Sequence, residues 1–328
     1  MGQADVVIAE ARGFMKSRVI LTAAELNFFT SLDEKPCSAG ELALEKGLDA
    51  RATTRVLDCL VTFGLLEKQD SVYKPTENGA FYSSLHPQTV LPMLLHMNRL
   101  WDTWSNLTEV VMEGGHAEPE PGMLRDDEGW KSFIGAMHVV GRELAQKIAG
   151  DFDLGRFKRL LDIGGGSGSY TIAFLRRNTT MTAALFDLGN VIPMARERLL
   201  KKGIENRVDL VAGDFYEDEL PGGCDLALLS AIIHQNSQEK NLDLYTKIFR
   251  ALEPGGTLLI RDHIMDESRT KPPAGAMFAI NMLVNTRGGD TYTFKEVKEG
   301  LERAGFNNVQ QVRYGDVMDC LVTGQKPA

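Results

Sequence analysis

The sequence predicts an α/β protein: a Rossmann-like, doubly wound sheet with an antiparallel C-terminal strand, preceded by a mostly helical segment in winged-helix order. Three observations predict it. From residue 158 onward, short apolar runs alternate with amphipathic helical stretches, the pattern of a parallel sheet covered on both faces. A glycine-rich loop lies between the first run and the first helix of that series. Before residue 158 apolar residues recur at helical spacing, interrupted by one helix–turn–helix–hairpin signal.

The N-terminal part comes first. "VVIAEARGFMKSRVILTAAELNFFTSL" has helical spacing. Ser38 is placed to cap the next helix, with Glu41 three residues on completing a capping box, and Gly47 ends it. A second helix follows through "ATTRVLDCLVTFG" to Gly64, and "LLEKQDSVYKPT" predicts a hairpin. This order permits DNA binding or a purely structural, dimerising role. Residues 1–100 carry twelve acids against ten bases, and the second helix offers only Arg51 and Arg55 to phosphates, so DNA binding is disfavoured. "HMNRLWDTWSNLTEVVMEGG" continues the helices, "GGHAEPEPGMLRDDEG" predicts a loop, and "WKSFIGAMHVVGRELAQKIAGDF" predicts a helix leading into the second half.

The strands expected next are "RLLDIG", "MTAALFDL", "RVDLVAGD", "CDLALLSAII", "GTLLIRDHI", "NNVQQVRYG" and "DCLVTGQ". The last two are joined by a short connection and should form an antiparallel hairpin.

Composition limits the function classes. The 328-residue chain fits two domains. Its net charge of −9 disfavours nucleic acid and anionic membrane as partners. Cys37, Cys59, Cys224 and Cys320 form no CxxC pair, which argues against a zinc ribbon or disulfide framework and for a reducing, cytoplasmic setting. The N-terminus lacks a signal-peptide pattern, and no apolar run reaches the roughly 18 residues a membrane helix needs.

The glycine loop "LLDIGGGSGSY" sets Asp162 before Gly164, Gly165, Gly166 and Gly168. Glycines there allow a tight turn and close approach to a ligand, at the strand end where such sheets bind ligands. The dinucleotide spacing G-x-G-x-x-G fails, because the sixth position from Gly164 is Ser169. An acid beside the loop suits a cationic ligand group better than a pyrophosphate. Asp187, nineteen residues after Gly168, is placed to accept from ribose hydroxyls. Asp214 can accept from an exocyclic amine, and Phe215 can pack on a purine. Helix capping and turn formation are the plain structural alternatives for the two acids.

These motifs, with "FDLGNVIPMARERL", "LEPGGTLLIRDHIMDE" and "LERAGF", resemble those of the SAM-dependent small-molecule O-methyltransferases over essentially the whole chain. The resemblance implies a class I methyltransferase domain at residues 158–328, a winged-helix dimerisation domain at 1–110, and linking helices at 111–157 that contribute to the substrate pocket. It implies a homodimer through the N-terminal helices, S-adenosylmethionine as cofactor with S-adenosylhomocysteine as product, no metal, and a small-molecule acceptor. The cofactor set it implies is Asp162, Gly164, Gly165, Gly166, Asp187, Gly213, Asp214, Phe215 and Ser230. In the family a histidine at the end of the fourth strand of the parallel sheet is the general base; His234 occupies that position, and Asp262 matches the acid that orients it. Met137, His138, Trp101 and Asn281 are candidates for contact with the acceptor, and His263 is expected to face away from Asp262. The chain departs from the family in reading His234-Gln235-Asn236 where an acid and a tryptophan usually follow the histidine. It also carries Thr291 where a second acid is usual, with Asp290 adjacent, and Ser230 where a lysine is common. C- or N-methylation with His234 only positioning the acceptor, and a SAM-sensing winged-helix regulator, are the competing readings.

Overall fold

The computed structural model describes residues 2–114 and 127–328. Most of the predicted loop at 114–129 therefore lies outside the described residues. The chain divides into two compact units: Met1–Trp101 with Asp126–Val139, and Asp102–Arg125 with Val140–Ala328.

The first unit is built from local signals that work as expected. Helices α1 (Gln3–Ala11), α2 (Gly13–Glu25) and α3 (Phe28–Glu34) precede a short strand β1 (Cys37–Ser38). Helix α4 (Ala39–Lys46) starts at Ser38, whose hydroxyl accepts from the Glu41 N–H while Glu41 reaches back to the Ser38 N–H, and it stops at Gly47 in the left-handed region. Helix α5 (Ala50–Thr62) buries Thr53, Leu57 and Leu60 on one face. Strands β2 (Leu66–Gln69) and β3 (Val72–Pro75) pair antiparallel, and β1 joins β3. The turn between them places Asp70 and Ser71 at φ 48° and 69°, as a two-residue hairpin demands. Tyr73 fixes the hairpin by donating to Asp58 of α5 at 2.7 Å. Phe28, Phe29, Leu32, Leu42, Leu57 and Leu60 form the core. Helix α6 (Glu77–Ala80) follows, and α7 (Leu91–Ser105) runs across the boundary between the units to α8 (Leu107–Glu113). Helix α9 (Asp127–Asp151) crosses the boundary again.

The second unit contains the predicted strands in the predicted order: β4 (Arg159–Ile163), β5 (Thr182–Asp187), β6 (Val208–Ala212), β7 (Cys224–Ser230), β8 (Leu252–Asp262), a short β9 (Ile264–Met265) paired with β10 (Tyr292–Thr293), then β11 (Asn307–Arg313) and β12 (Cys320–Gln325). Helices α10 (Ser169–Arg177), α11 (Ile192–Lys202), α12 (Gln238–Ala251), α13 (Pro273–Asn285) and α14 (Phe294–Arg303) lie between them. The seven-stranded sheet has the order β11-β12-β8-β7-β4-β5-β6. Strands β4 to β8 are mutually parallel, and β12 is antiparallel to both β8 and β11.

Alternation splits each apolar run between two cores. Leu160, Leu226, Leu228 and Leu259 face one cluster, and Leu161, Ala227, Leu229 and Ile260 face the other. Both faces are dry, so the strands read as continuous apolar runs. The strand order reverses between β4 and β7, and their carboxyl ends open the crevice where such sheets hold ligands.

Candidate active site

The loop after β4 turns by placing Gly164, Gly166 and Gly168 at φ 64°, 56° and 77°. At Gly164 a Cβ would lie 2.9 Å from Ile232 and 3.6 Å from the Phe215 ring. The loop, Phe215 and the segment after β7 therefore converge. Asp187, at the end of β5, is half-buried and holds this loop: its Oδ2 accepts from the Gly166 N–H and its Oδ1 from the Leu188 N–H, both at 2.7 Å. Burial pushes its carboxyl up, against the pull of these two N–H groups.

Asp162 sits beneath the loop. It is 2 % exposed, and a Cβ on Gly165 would come within 3.1 Å of its carboxyl carbon. Its partner is the Thr171 hydroxyl of α10 at 2.6 Å, and burial raises its pKa to about 6. The structure places Asp162 directly beneath the glycine turn, bonded to Thr171. Thr171 went unnoticed; its one signal is its place nine residues on, within the first turn of the helix that follows the loop.

After β6, Gly213 is the residue that lets the chain pass Phe186: a Cβ there would lie 2.5 Å from the buried ring. Asp214 caps the turn it begins, its Oδ1 accepting from the Tyr216 N–H at 2.8 Å. Lys247 of α12 holds the same loop, donating to the carbonyls of Phe215, Tyr216 and Asp218.

Ser230 ends β7. Ala231 then adopts a left-handed φ of 58°, a conformation that costs an alanine about 1–2 kcal/mol. It turns the chain into a single 3₁₀ turn, Ile233–Gln235, which carries His234. Strain of this kind is held by its surroundings and collects at functional sites. The His234 Nδ1 lies 2.9 Å from both oxygens of Asp262, at the end of β8. Asp262 is 1 % exposed and also accepts from the His263 N–H at 2.8 Å. Burial would raise Asp262, but the neighbouring His234, the Arg261 guanidinium and the His263 N–H together outweigh it and hold the carboxyl below its ordinary value. The carboxylate thus accepts a hydrogen bond from Nδ1–H and leaves Nε2 as the acceptor nitrogen, an assignment made from the hydrogen bond. Phe278 of α13 meets the His234 ring edge-on, centroids 4.8 Å apart.

Asp290 does not supply the second acid. Its carboxylate pairs with Arg269 at 3.2 Å and accepts from the Thr291 N–H, while its own N–H donates to the His234 carbonyl. Thr291 is buried and donates to the Gly275 carbonyl. His263 is also buried, and its ring packs 5.1 Å from Phe278, the same ring that touches His234. Burial lowers its pKa to about 4, so it is neutral at pH 7.

Asn281 lies on α13 with its Oδ1 occupied: Trp104 Nε1 donates to it at 3.0 Å and Asn285 Nδ2 at 3.1 Å, and Asn285 in turn accepts from Thr103. Trp101, Met137 and His138 belong to the first unit. There the Arg18 guanidinium stacks 5.3 Å from the Trp101 ring, and Met137 and His138 are half-buried on α9. Among the described residues no cluster of His, Cys, Asp or Glu could hold a metal, and no helix is long and apolar enough to cross a membrane.

A mostly parallel sheet with a tight glycine turn, acids ending successive strands and a buried His–Asp pair on the same edge defines an α/β protein with its polar groups gathered at the carboxyl ends of its strands. Comparison with known proteins makes this specific. Residues 104–307 match the O-methyltransferase domain, and residues 9–84 match the O-methyltransferase dimerisation domain. The chain is 30% identical over 310 residues to 3-hydroxy-5-methyl-1-naphthoate 3-O-methyltransferase of Streptomyces sahachiroi, covering 93% of this chain and 90% of that protein. It is 30% identical over 342 residues to acetylserotonin O-methyltransferase of Gallus gallus, covering 98% and 97%. The structure of human N-acetylserotonin methyltransferase in complex with SAM superimposes with a TM-score of 0.86 at 26% identity, over 100% of this chain and 99% of that one. The chain belongs to the O-methyltransferase family and is a methyltransferase by class.

Proposed function

We propose that this enzyme transfers a methyl group from S-adenosylmethionine to a hydroxyl of a small aromatic acceptor, with His234 as general base. The observation that carries the proposal is the buried His234–Asp262 pair at the same sheet edge as the glycine turn. The residues present fit the donor. The tight turn at Gly164, the Asp187 carboxylate at the end of β5 and the Phe215 ring are suited to its methionine, ribose and adenine parts. Gly165, Gly166, Gly213, Asp214 and Ser230 complete the surroundings, and Asp162 acts from below the loop. When bound, the donor supplies a methyl already activated by the sulfonium.

The protein's remaining task is alignment and one proton transfer. The Nε2 of His234 accepts the proton of the acceptor hydroxyl, and Asp262 stabilises the imidazolium that forms and fixes the tautomer. Phe278 packs against His234 and offers an aromatic wall beside it. Neutral His263 places no second charge next to this pair.

The enzyme is a homodimer through its N-terminal unit, whose helix–turn–helix–hairpin order is that of a winged helix. Helix α1 buries none of its residues in the chain itself, and Val6, Val7, Ile8, Phe14 and Met15 are exposed, an apolar patch suited to a second copy. The four free cysteines fit a reducing cytoplasm.

The test is incubation with S-adenosylmethionine and a panel of phenols, naphthols and indoles, read by mass spectrometry for the gain of one methylene. His234→Ala should retain S-adenosylhomocysteine binding and lose at least about a hundredfold in turnover. Full turnover in that variant would remove the base, and a product methylated on carbon or nitrogen would transfer the site to the alternative chemistry.

A further inference from the structure

The two residues after His234 are where this chain leaves its family's pattern, and the structure gives both a partner. Asn236 is 1 % exposed. Its Oδ1 accepts from the Tyr216 hydroxyl. Its Nδ2 donates to Asn241 Oδ1 at 3.0 Å, and Asn241 Nδ2 donates to the Ile233 carbonyl at 2.8 Å. Gln235 Nε2 donates to the Tyr216 hydroxyl at 3.3 Å. The bonds run in one direction. They leave residue 235, pass through Tyr216, Asn236 and Asn241, and return to the carbonyl of residue 233. The ring therefore closes around the turn that bears His234. Each donor in such a chain polarises the next, and the buried amides leave no orientation but this one that satisfies every atom.

Tyr216 is the element that makes this ring more than a local brace. It belongs to the loop after β6, its N–H held by Asp214 and its ring 4.5 Å from that of Phe215. Phe215 in turn lies against the glycine turn at Gly164. At 40% exposure Tyr216 contributes little to the core, yet its hydroxyl is spent on Asn236. A second tie, from Tyr292 to the Asn236 carbonyl, holds Asn236, so that Tyr216 links it to the loop after β6.

We propose that Tyr216 and Asn236 are positioning residues that couple occupation of the Asp214–Phe215 side of the cleft to the placement of His234. This rests on the cofactor reading above. Settling of the loop on an adenosine group moves the Tyr216 hydroxyl, and the ring passes that displacement to the 3₁₀ turn. The base, already paired with Asp262, is thereby adjusted in its placement when the methyl donor occupies the cleft.

The experiment is NMR of the histidine rings, of which the chain has six, with the His234 signal assigned from its loss in His234→Gln and S-adenosylhomocysteine as the added ligand. In the wild type the His234 ring signals should shift on saturation. Tyr216→Phe removes one hydroxyl from an exposed loop and should fold normally. It should bind S-adenosylhomocysteine within about threefold of wild type, show less than half the His234 shift, and lose about fivefold in kcat with KM for the donor nearly unchanged, the scale of one net hydrogen bond. Gln235→Ala, which removes only the entry to the ring, should reproduce part of the effect. An undiminished His234 shift in Tyr216→Phe would overturn the coupling while leaving the cofactor reading intact. Failure of the wild type to bind S-adenosylhomocysteine would overturn the cofactor reading, and the coupling with it.

Discussion

Asp262→Asn is the substitution for which the structure sets the magnitude most directly. The carboxylate is 1 % exposed and both its oxygens lie 2.9 Å from His234 Nδ1. Asparagine is nearly isosteric. Its carbonyl can still accept from the His263 N–H, so the fold should survive; its NH2 group, at the Oδ2 position 2.9 Å from Nδ1, can donate to that nitrogen and favour the other tautomer, which adds to the loss of charge. What disappears is the charge. At an effective dielectric of about 20, two unit charges at this separation attract by about 5–6 kcal/mol. If about half the proton has reached His234 in the transition state, about 3 kcal/mol of that is lost, or about a hundredfold in kcat. The assay is initial rates of product formation between pH 5 and 9, with S-adenosylhomocysteine binding measured calorimetrically on the same preparations. A kcat within threefold of wild type, with unchanged ligand affinity, would refute the view that Asp262 stabilises a charge developing on His234.

Two other perturbations test the supporting structure. Gly213→Ala drives a methyl to within 2.5 Å of Phe186 in the core; overpacking of this kind should cost about 1–3 kcal/mol in urea unfolding, and a neutral result would mean that the loop after β6 is free to shift. Asp162 and His263 have opposite pH signatures. With its folded pKa raised to about 6 from 3.8, Asp162 contributes stability below pH 4 that is lost as pH rises through 6, a cost near neutrality of up to about 3 kcal/mol. His263, lowered to about 4 from 6.5, contributes stability above pH 6.5 that is lost as pH falls towards 4. The two slopes offset each other in that window. Asp162→Asn should therefore be more stable than wild type at pH 7.5, lose that advantage by pH 4, and show the His263 slope uncovered; an advantage that grows on acidification would contradict the assignment.

Much of this was legible before any coordinates. The strand series was readable because strands buried on both faces are apolar at nearly every position, as in "LLDIG" and "CDLALLS". The Ser38–Glu41 capping box and the αL glycine at residue 47 were readable because they are local chemistry within a few residues. His234 and Asp262 were readable as a pair only through resemblance, since 28 residues separate them and it is the β7–β8 pairing that makes them neighbours. Asn236 read as a defect in a motif. Its role depends on Tyr216 and Asn241, which come from a loop and a helix face brought together by the sheet. Asn241 did carry a signal. It occupies a buried face of α12 with Leu244, Tyr245 and Ile248, and a polar residue at an apolar position needs a partner. The Thr171 partner of Asp162 was not readable for a related reason: an acid before a glycine turn can point up to a ligand or down to the following helix, and backbone pattern alone does not choose.

By itself, then, the sequence determined the alternation of strands and helices, the glycine turn and the acids that end its strands, because periodicity, capping and left-handed turns act over a few residues. Only the tertiary structure decided which way Asp162 points, that Asp290 is spent on Arg269, and that Gln235 and Asn236 close a hydrogen-bonded ring around His234. These depend on which buried donors and acceptors meet once distant strand ends share one edge, and burial is what obliges each of them to find a partner.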